Sequence, residues 1–517
     1  MRRYTVIAAL LCMIIFAGCG RSLSNEQEVQ EDENIVDFTS MEEEPELSYE
    51  VPVSTPGILI DQLGYMTQGS KIAVFRGEEI PDEFRVVNTQ TGKVVFTGFL
   101  KEKRYNENLN EYNSYGDFSA LTIPGNYYID APVLGRSYSF AIEDDIYDQI
   151  LKEACKEYYY NRCGMTLTTE YAGGRAHNAC HTGKAVLREN ASESLDVSGG
   201  WHQDEKGQKD VVSASKAMSV MMLSYELHGK SFDDNMGIPE SGNEIPDILD
   251  EIRYEVEWLL KMQDQQTGAV YSGLTVDLVN NVNPGKSAEI YVEPATSDAG
   301  RAFAVAIAKF SYLYQDYDAE YAAVCLKAAE RAYKYVKKNE DEKNELEFAA
   351  AAELYRATGR SSYLKAANDF LSAKDLTGEK NDIMLLGSVT YIATRRSVNI
   401  SLCEKIMKML MTQAEDISGT AENSTYLAAG SKEQDNNNIL LLDMMYLTVV
   451  NHIISNQEYG TVIEDHLHYF LGRNEKAISY IDNAGEKSYS DIDSSLGIMK
   501  QFDANSKLIF MLSEIVE

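Results

Sequence analysis

The sequence predicts a mainly α protein fronted by a small all-β domain. Two changes of texture carry that prediction. From Ile58 to about Ile142, short apolar runs alternate with turn signals. From Tyr147 onward, apolar residues recur at helical spacing instead. Length supplies a third argument: 517 residues are more than one hydrophobic core usually holds, so at least two domains are expected.

The chain opens as an address. Arg2 and Arg3 precede an apolar stretch from Thr5 to Ala17, too short to span a bilayer comfortably and suited to a signal h-region. It ends in Phe16-Ala17-Gly18-Cys19, which resembles a bacterial lipobox and marks Cys19 as the lipidated first residue of the mature protein. Residues 1–19 are therefore read as a lipoprotein signal peptide, with the protein held on the extracytoplasmic face of the cell membrane through that lipid alone. Residues 20–56 follow as a tether. Between Arg21 and Pro56 there are eleven acidic residues and one basic one. Such a segment has no core to form and is expected to extend by self-repulsion.

Residues 57–143 are predicted to fold as an immunoglobulin-like β-sandwich. Lys71–Phe75 and Phe84–Asn88 are its clearest strands, and Thr91-Gly92 and Pro124-Gly125 mark turns. Residues 147–517 are predicted to be all-α with no alternating strands. Pro246 to Gln263 shows the pattern best, with apolar residues at 248, 249, 252, 256, 259 and 260 and acids between them. Similar runs cover about 209–228, 298–314, 318–338, 343–358, 361–372, 437–455, 459–471 and 503–516.

Composition narrows the function. With 81 acidic against 47 basic residues, the net charge is −34. Nucleic-acid and acidic-polysaccharide binding both need clustered cations, so neither is expected, and a neutral partner stays open. Seven cysteines are too few for a disulfide scaffold.

Several segments resemble glycoside hydrolase family 9, the inverting cellulases and endoglucanases. They are Asp196-Val-Ser-Gly-Gly-Trp-His202, Glu240-Ser-Gly-Asn-Glu-Ile-Pro-Asp-Ile-Leu-Asp-Glu251, Trp258–Gln263, Ala351–Gly359 and Tyr469-Phe-Leu-Gly-Arg-Asn474. Ile60-Asp-Gln-Leu-Gly-Tyr65 resembles the opening of the immunoglobulin-like module that precedes many of these catalytic domains. The resemblance implies an (α/α)6 barrel and a neutral β-1,4-glucan or oligosaccharide as the partner.

Cys163, Cys180, His181 and His202 supply two thiols and two imidazoles, the donors a tetrahedral zinc prefers. Their spacing is not that of a zinc finger, and a Cys163–Cys180 disulfide is the alternative outside the cell. The resemblance implies structural zinc at these four residues and no catalytic metal.

The catalytic positions depart from the family pattern. An inverting glycosidase needs one ionised carboxylate to activate water and one protonated carboxyl to protonate the leaving oxygen. By resemblance, the two water-holding aspartates fall at Gln203 and Lys206, and the acid falls at Met499. Asp204 and Glu205 lie one residue out of register and are the nearest substitutes for the base. The family's His-His-Arg segment is replaced by residues from Glu486 onward. Two readings follow: a surface glucanase of diverged mechanism, or a catalytically silent relative that binds glucan or oligosaccharide.

Overall fold

The computed structural model describes residues 56–107, 109–277, 289–340, 343–378, 380–429 and 437–517. The signal segment, Cys19 and the tether as far as residue 55 lie outside the described residues.

Two compact units divide the chain. The first gathers the β domain with Ser418–Ala429 and Leu447–Asp491. Its strands are β1 Ile58–Leu59, β2 Gly64–Tyr65, β3 Ile72–Gly77, β4 Glu83–Asn88, β5 Val94–Asn106, β6 Glu111–Asp117, β7 Gly125–Ala131, β8 Gly135–Arg136 and β9 Phe140–Ile142. The order is β1-β3-β6-β5-β4-β7-β9-β2. The long strand β5 serves both faces of the sandwich. Its first half, to Phe99, pairs with β4, its second half, from Leu100, pairs with β6, and a bulge between Lys101 and Arg104 bends the half that pairs with β6. Tyr65, Phe75, Phe84, Val86, Phe118, Ile129 and Phe140 fill the space between the sheets.

The β domain is stitched to helical segments of the same unit by buried polar contacts. Asp61 and His468 are both buried and meet at 2.9 Å through Oδ2 and Nδ1, while His468 Nε2 faces the Ser70 carbonyl at 3.2 Å. Gln62 donates to the Ala477 carbonyl at 2.9 Å and accepts from the Lys487 amide at 2.9 Å. Room for Gln62 comes from Gly472 and Gly485, both at positive φ, where a Cβ would lie 2.6 and 2.8 Å from it.

The second unit spans Tyr147–Ile417, Gly430–Tyr446 and Ile492–Glu517. Among the described residues, twelve helices of twelve residues or more follow the β domain. They are α1 Asp148–Tyr160, α2 Val211–Leu227, α3 Asp247–Lys261, α4 Ser297–Leu313, α5 Ala319–Asn339, α6 Glu345–Thr358, α7 Ser361–Ala373, α8 Asp382–Ala393, α9 Ile400–Glu422, α10 Asn437–Ile454, α11 Gln457–Phe470 and α12 Phe502–Ile515. Odd and even helices alternate as the outer and inner members of six hairpins, the (α/α)6 pattern. The difference is visible in burial: α5 and α7 bury one stripe, whereas α2, α4, α6 and α8 are buried nearly all round. Neighbouring inner helices α2, α4, α6 and α8 pack in succession, and α12 closes against α2. Small residues such as Ala349 to Ala352 permit the close approach.

Caps set one end of this ring. Asp210, Thr296, Asn344 and Asn381 each accept a backbone N–H at the start of α2, α4, α6 and α8. One expectation fails at the same end. The helical part is not free of strands: β10 Ala185–Leu187, β11 Asn190–Leu195, β12 Lys209–Asp210, β13 Gly273–Asp277 and β14 Glu289–Val292 form a second sheet. It grows from the loops that precede α2 and α4.

Beyond those caps, a buried ion cluster ties four inner helices. Lys309 on α4 meets Glu226 on α2 at 2.6 Å, and Arg356 on α6 meets Glu353 at 2.7 Å and also pairs with Glu226. Thr390 on α8 donates to Glu353 at 2.6 Å. Burial pushes the Glu226 carboxyl up, but Arg356 and Lys309 outweigh it and hold it down to about 2. Arg356→Met is expected to destabilise the protein by about 3 kcal/mol, because it leaves the buried Glu353 and the partly buried Glu226 to share one lysine. Urea denaturation at neutral pH measures this; a midpoint unchanged within error would refute it.

Candidate functional site

The site is built on the loop between α1 and α2. Cys163 follows α1, Cys180 and His181 sit on the next excursion, and His202 returns beside Asn161, whose carbonyl accepts from the His202 amide at 2.8 Å. An isolated bridge between Arg162 and Trp201 sets the two limbs side by side.

These four predicted residues do converge. Their donor atoms all lie within 4.8 Å of one another. Cys163 and Cys180 sulfurs are 3.9 Å apart, so the thiols are not joined in a disulfide. His181 Nδ1 and His202 Nε2 are 3.2 Å apart, and the thiol–imidazole edges are 3.6 and 3.5 Å. Adjacent Cys180 and His181 can both point inward because His181 is left-handed, with φ 49°. Gly207 backs its ring; a Cβ there would lie 2.4 Å from the imidazole. The group offers four protein donors that could hold a metal ion.

Behind it, Trp201 is anchored from below. Its indole N–H donates to Glu251 at 2.7 Å and its amide to Glu255 at 2.7 Å. Arg162, fully buried, pairs with Glu251 at 3.1 Å and Glu240 at 2.9 Å. Burial pushes the Glu255 carboxyl up to about 8 against the pull of Lys209. Trp201 and Trp258 are both 0% exposed, so neither presents a face to a sugar.

The residues at the expected base positions are occupied with structural work. Gln203 spends both ends of its amide on Asp210, donating to its carbonyl at 2.9 Å and accepting from its N–H at 3.0 Å. Asp204 is exposed but folds back on its own loop. It accepts from the amides of Lys206 and Gln208 at 3.0 and 2.9 Å and from the Gln208 side chain at 2.8 Å. Glu205 and Lys206 are exposed on the same turn. Met499 is 3% exposed and apolar. Asp493 caps the short turn at Ser494–Leu496. In the first unit, Glu486 accepts from the Ser139 amide at 2.8 Å.

Sequence reasoning missed one constellation. Where the inner helices begin, Lys216 of α2 pairs with Asp382 of α8 at 2.8 Å. Lys507 of α12 reaches Asp382 at 3.8 Å and pairs with Asp503. Asn438 of α10 donates to Asp503 at 3.1 Å and accepts from Lys507 at 2.8 Å. The only sequence signal was a lysine set among small and apolar residues, Ser215-Lys216-Ala217-Met218 and Ser506-Lys507-Leu508-Ile509.

Comparison with known proteins agrees with this architecture. Residues 147–506 match the model of glycosyl hydrolase family 9, and residues 53–136 match that of the cellulase N-terminal ig-like domain. A cellodextrinase of Butyrivibrio fibrisolvens is 30% identical over 481 residues, covering 84% of this chain and 86% of the relative. A xyloglucan-specific endo-beta-1,4-glucanase of Bacteroides ovatus is 27% identical, covering 84% and 82% of the two chains. Among solved structures, a metagenome-derived family 9 endoglucanase superposes with TM-score 0.80 at 24% identity, covering 89% of this chain and 98% of the other. A Zn-binding triple mutant of another family 9 endoglucanase superposes with TM-score 0.78 at 23% identity, covering 87% and 99%.

Proposed function

This chain belongs to glycosyl hydrolase family 9, and from that premise we propose that it is a cell-surface member that binds β-1,4-glucan chains without hydrolysing them. The relatives named above act on cellodextrins and β-1,4-glucans, which supplies the substrate class. The observation that carries the silent reading is the Gln203–Asp210 amide pair. A side chain at the base position that is locked to the backbone at both ends neither holds nor deprotonates a water. Met499, at the acid position, carries no proton to give. Titration with cello-oligosaccharides, followed in parallel for heat and for new reducing ends, tests both halves. Absence of binding sinks the glucan reading, and enzyme-like release of reducing ends sinks the silent one.

The metal group is proposed to hold zinc in a structural role. Bonds of about 2.3 Å to sulfur and 2.05 Å to nitrogen in a tetrahedron imply edges of about 3.8, 3.6 and 3.3 Å for S–S, S–N and N–N pairs. Four of the six edges, at 3.9, 3.6, 3.5 and 3.2 Å, follow that sequence, and all donor pairs lie within 4.8 Å. All four positions are filled by protein, so zinc there would supply no open site for water. Its part is to fix His202 and hence the loop that ends at Asp210.

Attachment to the membrane through Cys19 completes the proposal. The basic start, the short apolar run and Ala17-Gly18-Cys19 support it. Cys19→Ser expressed in a bacterial host is expected to move the protein from the membrane fraction to the soluble one. Equal partition of both forms would refute lipid anchoring.

A further inference from the structure

We propose that the charged cluster at the mouth of the inner ring is a reading site for sugar hydroxyls, in which Asp503, Asn438 and Lys216 bind neighbouring hydroxyls of a terminal hexosyl unit. This rests on the glucan-binding reading and names where in the second unit that binding is seated.

Position is the first argument. Lys216 lies in the second turn of α2, Asp382 is the first residue of α8, Asn438 the second of α10, and Asp503 the second of α12. In a ring of six inner helices, α2 and α8 stand opposite each other. The Lys216–Asp382 pair therefore crosses the axis and closes the floor beneath the mouth. A sugar chain entering from the mouth meets this cluster end-on.

Energetics is the second. Helix N-termini carry partial positive charge, which suits Asp382 and Asp503 but opposes the two lysines. Packed apolar side chains would stabilise such a floor about as well as paired charges do. Four ionised groups at this spot therefore need a reason beyond stability. Exposure grades in a telling way: the side chains of Lys507 and Asp382 are 3% and 13% exposed, those of Lys216 and Asp503 28% and 33%. Lys507 and Asp382 are shielded, whereas Lys216 and Asp503 keep surface open to solvent and so to a ligand. Burial alone pushes the Asp503 carboxyl up, but Lys507 and Lys216 overcome it and hold it below the usual range, so it stays an acceptor. Lys216 is likewise held charged, with Asp382 and Asp503 outweighing its burial.

Charge balance selects the ligand. Two ammonium groups and two carboxylates cancel, so neither a phosphate nor a metal ion is favoured. A neutral polyol is matched instead. The carboxylate accepts from one hydroxyl, the ammonium donates to the next, and the Asn438 amide fixes the plane of the carboxylate between them.

Calorimetric titration of the full-length protein with cellotetraose tests this, using wild type, Asp503→Asn and Lys216→Met, with melting curves for each. Hydrogen bonds to charged groups predict that each variant weakens binding by about tenfold or more. A melting temperature that falls while affinity stays at the wild-type value would overturn the assignment and leave the cluster structural. Wild-type affinity in both variants would overturn it as well. If Asp503→Asn fails to fold, Lys216→Met decides alone, since it removes the hydroxyl donor but keeps the chain length. Wild type that binds no cellotetraose defeats the glucan reading itself, a result distinct from the other two.

Discussion

Incubated with cellotetraose or a soluble β-1,4-glucan, the protein is expected to release no reducing ends above background. Family 9 chemistry splits the work between a base and an acid, and each such group contributes on the order of 10²–10⁴-fold. Losing both removes about 10⁴–10⁸-fold, which takes turnover below what a reducing-end assay reads. Restoring one carboxylate is expected to leave the rate far below that of an enzyme with both, because the other group's contribution of about 10²–10⁴-fold is still missing. Met499→Glu alone therefore stays far below that rate. Gln203→Asp stays below it as well, and it breaks the amide pair with Asp210. The alternative base is Glu205 or Asp204. Asp204 is an unpromising one, since its carboxylate already accepts from three donors of its own turn. Reducing sugar appearing at enzyme-like rates, and abolished by Glu205→Gln or Asp204→Asn, would show that the loop rearranges on binding and would defeat the silent reading.

Much of the fold was legible from helical period, on inner and outer helices alike, though the outer helix α9 was not read. Residues 246–263 read as a helix from one apolar stripe, and α3 runs over Asp247–Lys261. Inner helix α8 was missed for the opposite reason: Ile383 to Tyr391 is buried on every side, so no polar face gives a period. The second sheet was missed because its strands are short and polar; Asn190–Leu195 carries Ser, Glu and Ser on exposed positions. At the site, donor chemistry together with the family resemblance picked out Cys163, Cys180, His181 and His202, while their spacing along the chain left a Cys163–Cys180 disulfide open. The cluster of Lys216, Asp382, Asn438, Asp503 and Lys507 could not be found that way. Its members pair across a ring, and no spacing along the chain encodes which inner helix faces which.

Removal of the metal is expected to have the largest effect on stability. Purified protein should contain one zinc per chain, and chelation should lower the melting temperature by roughly 10 °C or more. Zinc bound by four protein ligands contributes about 10–16 kcal/mol in isolated finger peptides. Here the four donors sit on one loop of a large domain that has its own core, so only part of that is expected to appear as stability, by mass action on the folded state. What is lost is local. The limbs at Cys163 and His202 are joined by the Arg162–Trp201 bridge and by the Cys163 amide donating to Gly200 at 2.8 Å. The Cys180–His181 excursion is tied to the Cys163 limb by the Leu167–His177 bridge and by the Ala179 amide donating to Thr166 at 3.2 Å, and a bound metal would join its tip to both limbs. Binding should weaken as pH falls, because both thiolates and both imidazoles must be free of protons to ligate. Cys180→Ser should reproduce the chelated state at neutral pH, with no further loss on adding chelator. Elemental analysis that finds no metal, with peptide mapping that finds Cys163 joined to Cys180, would mean the site closes by oxidation instead. In that case reductant, and not chelator, would lower the melting temperature.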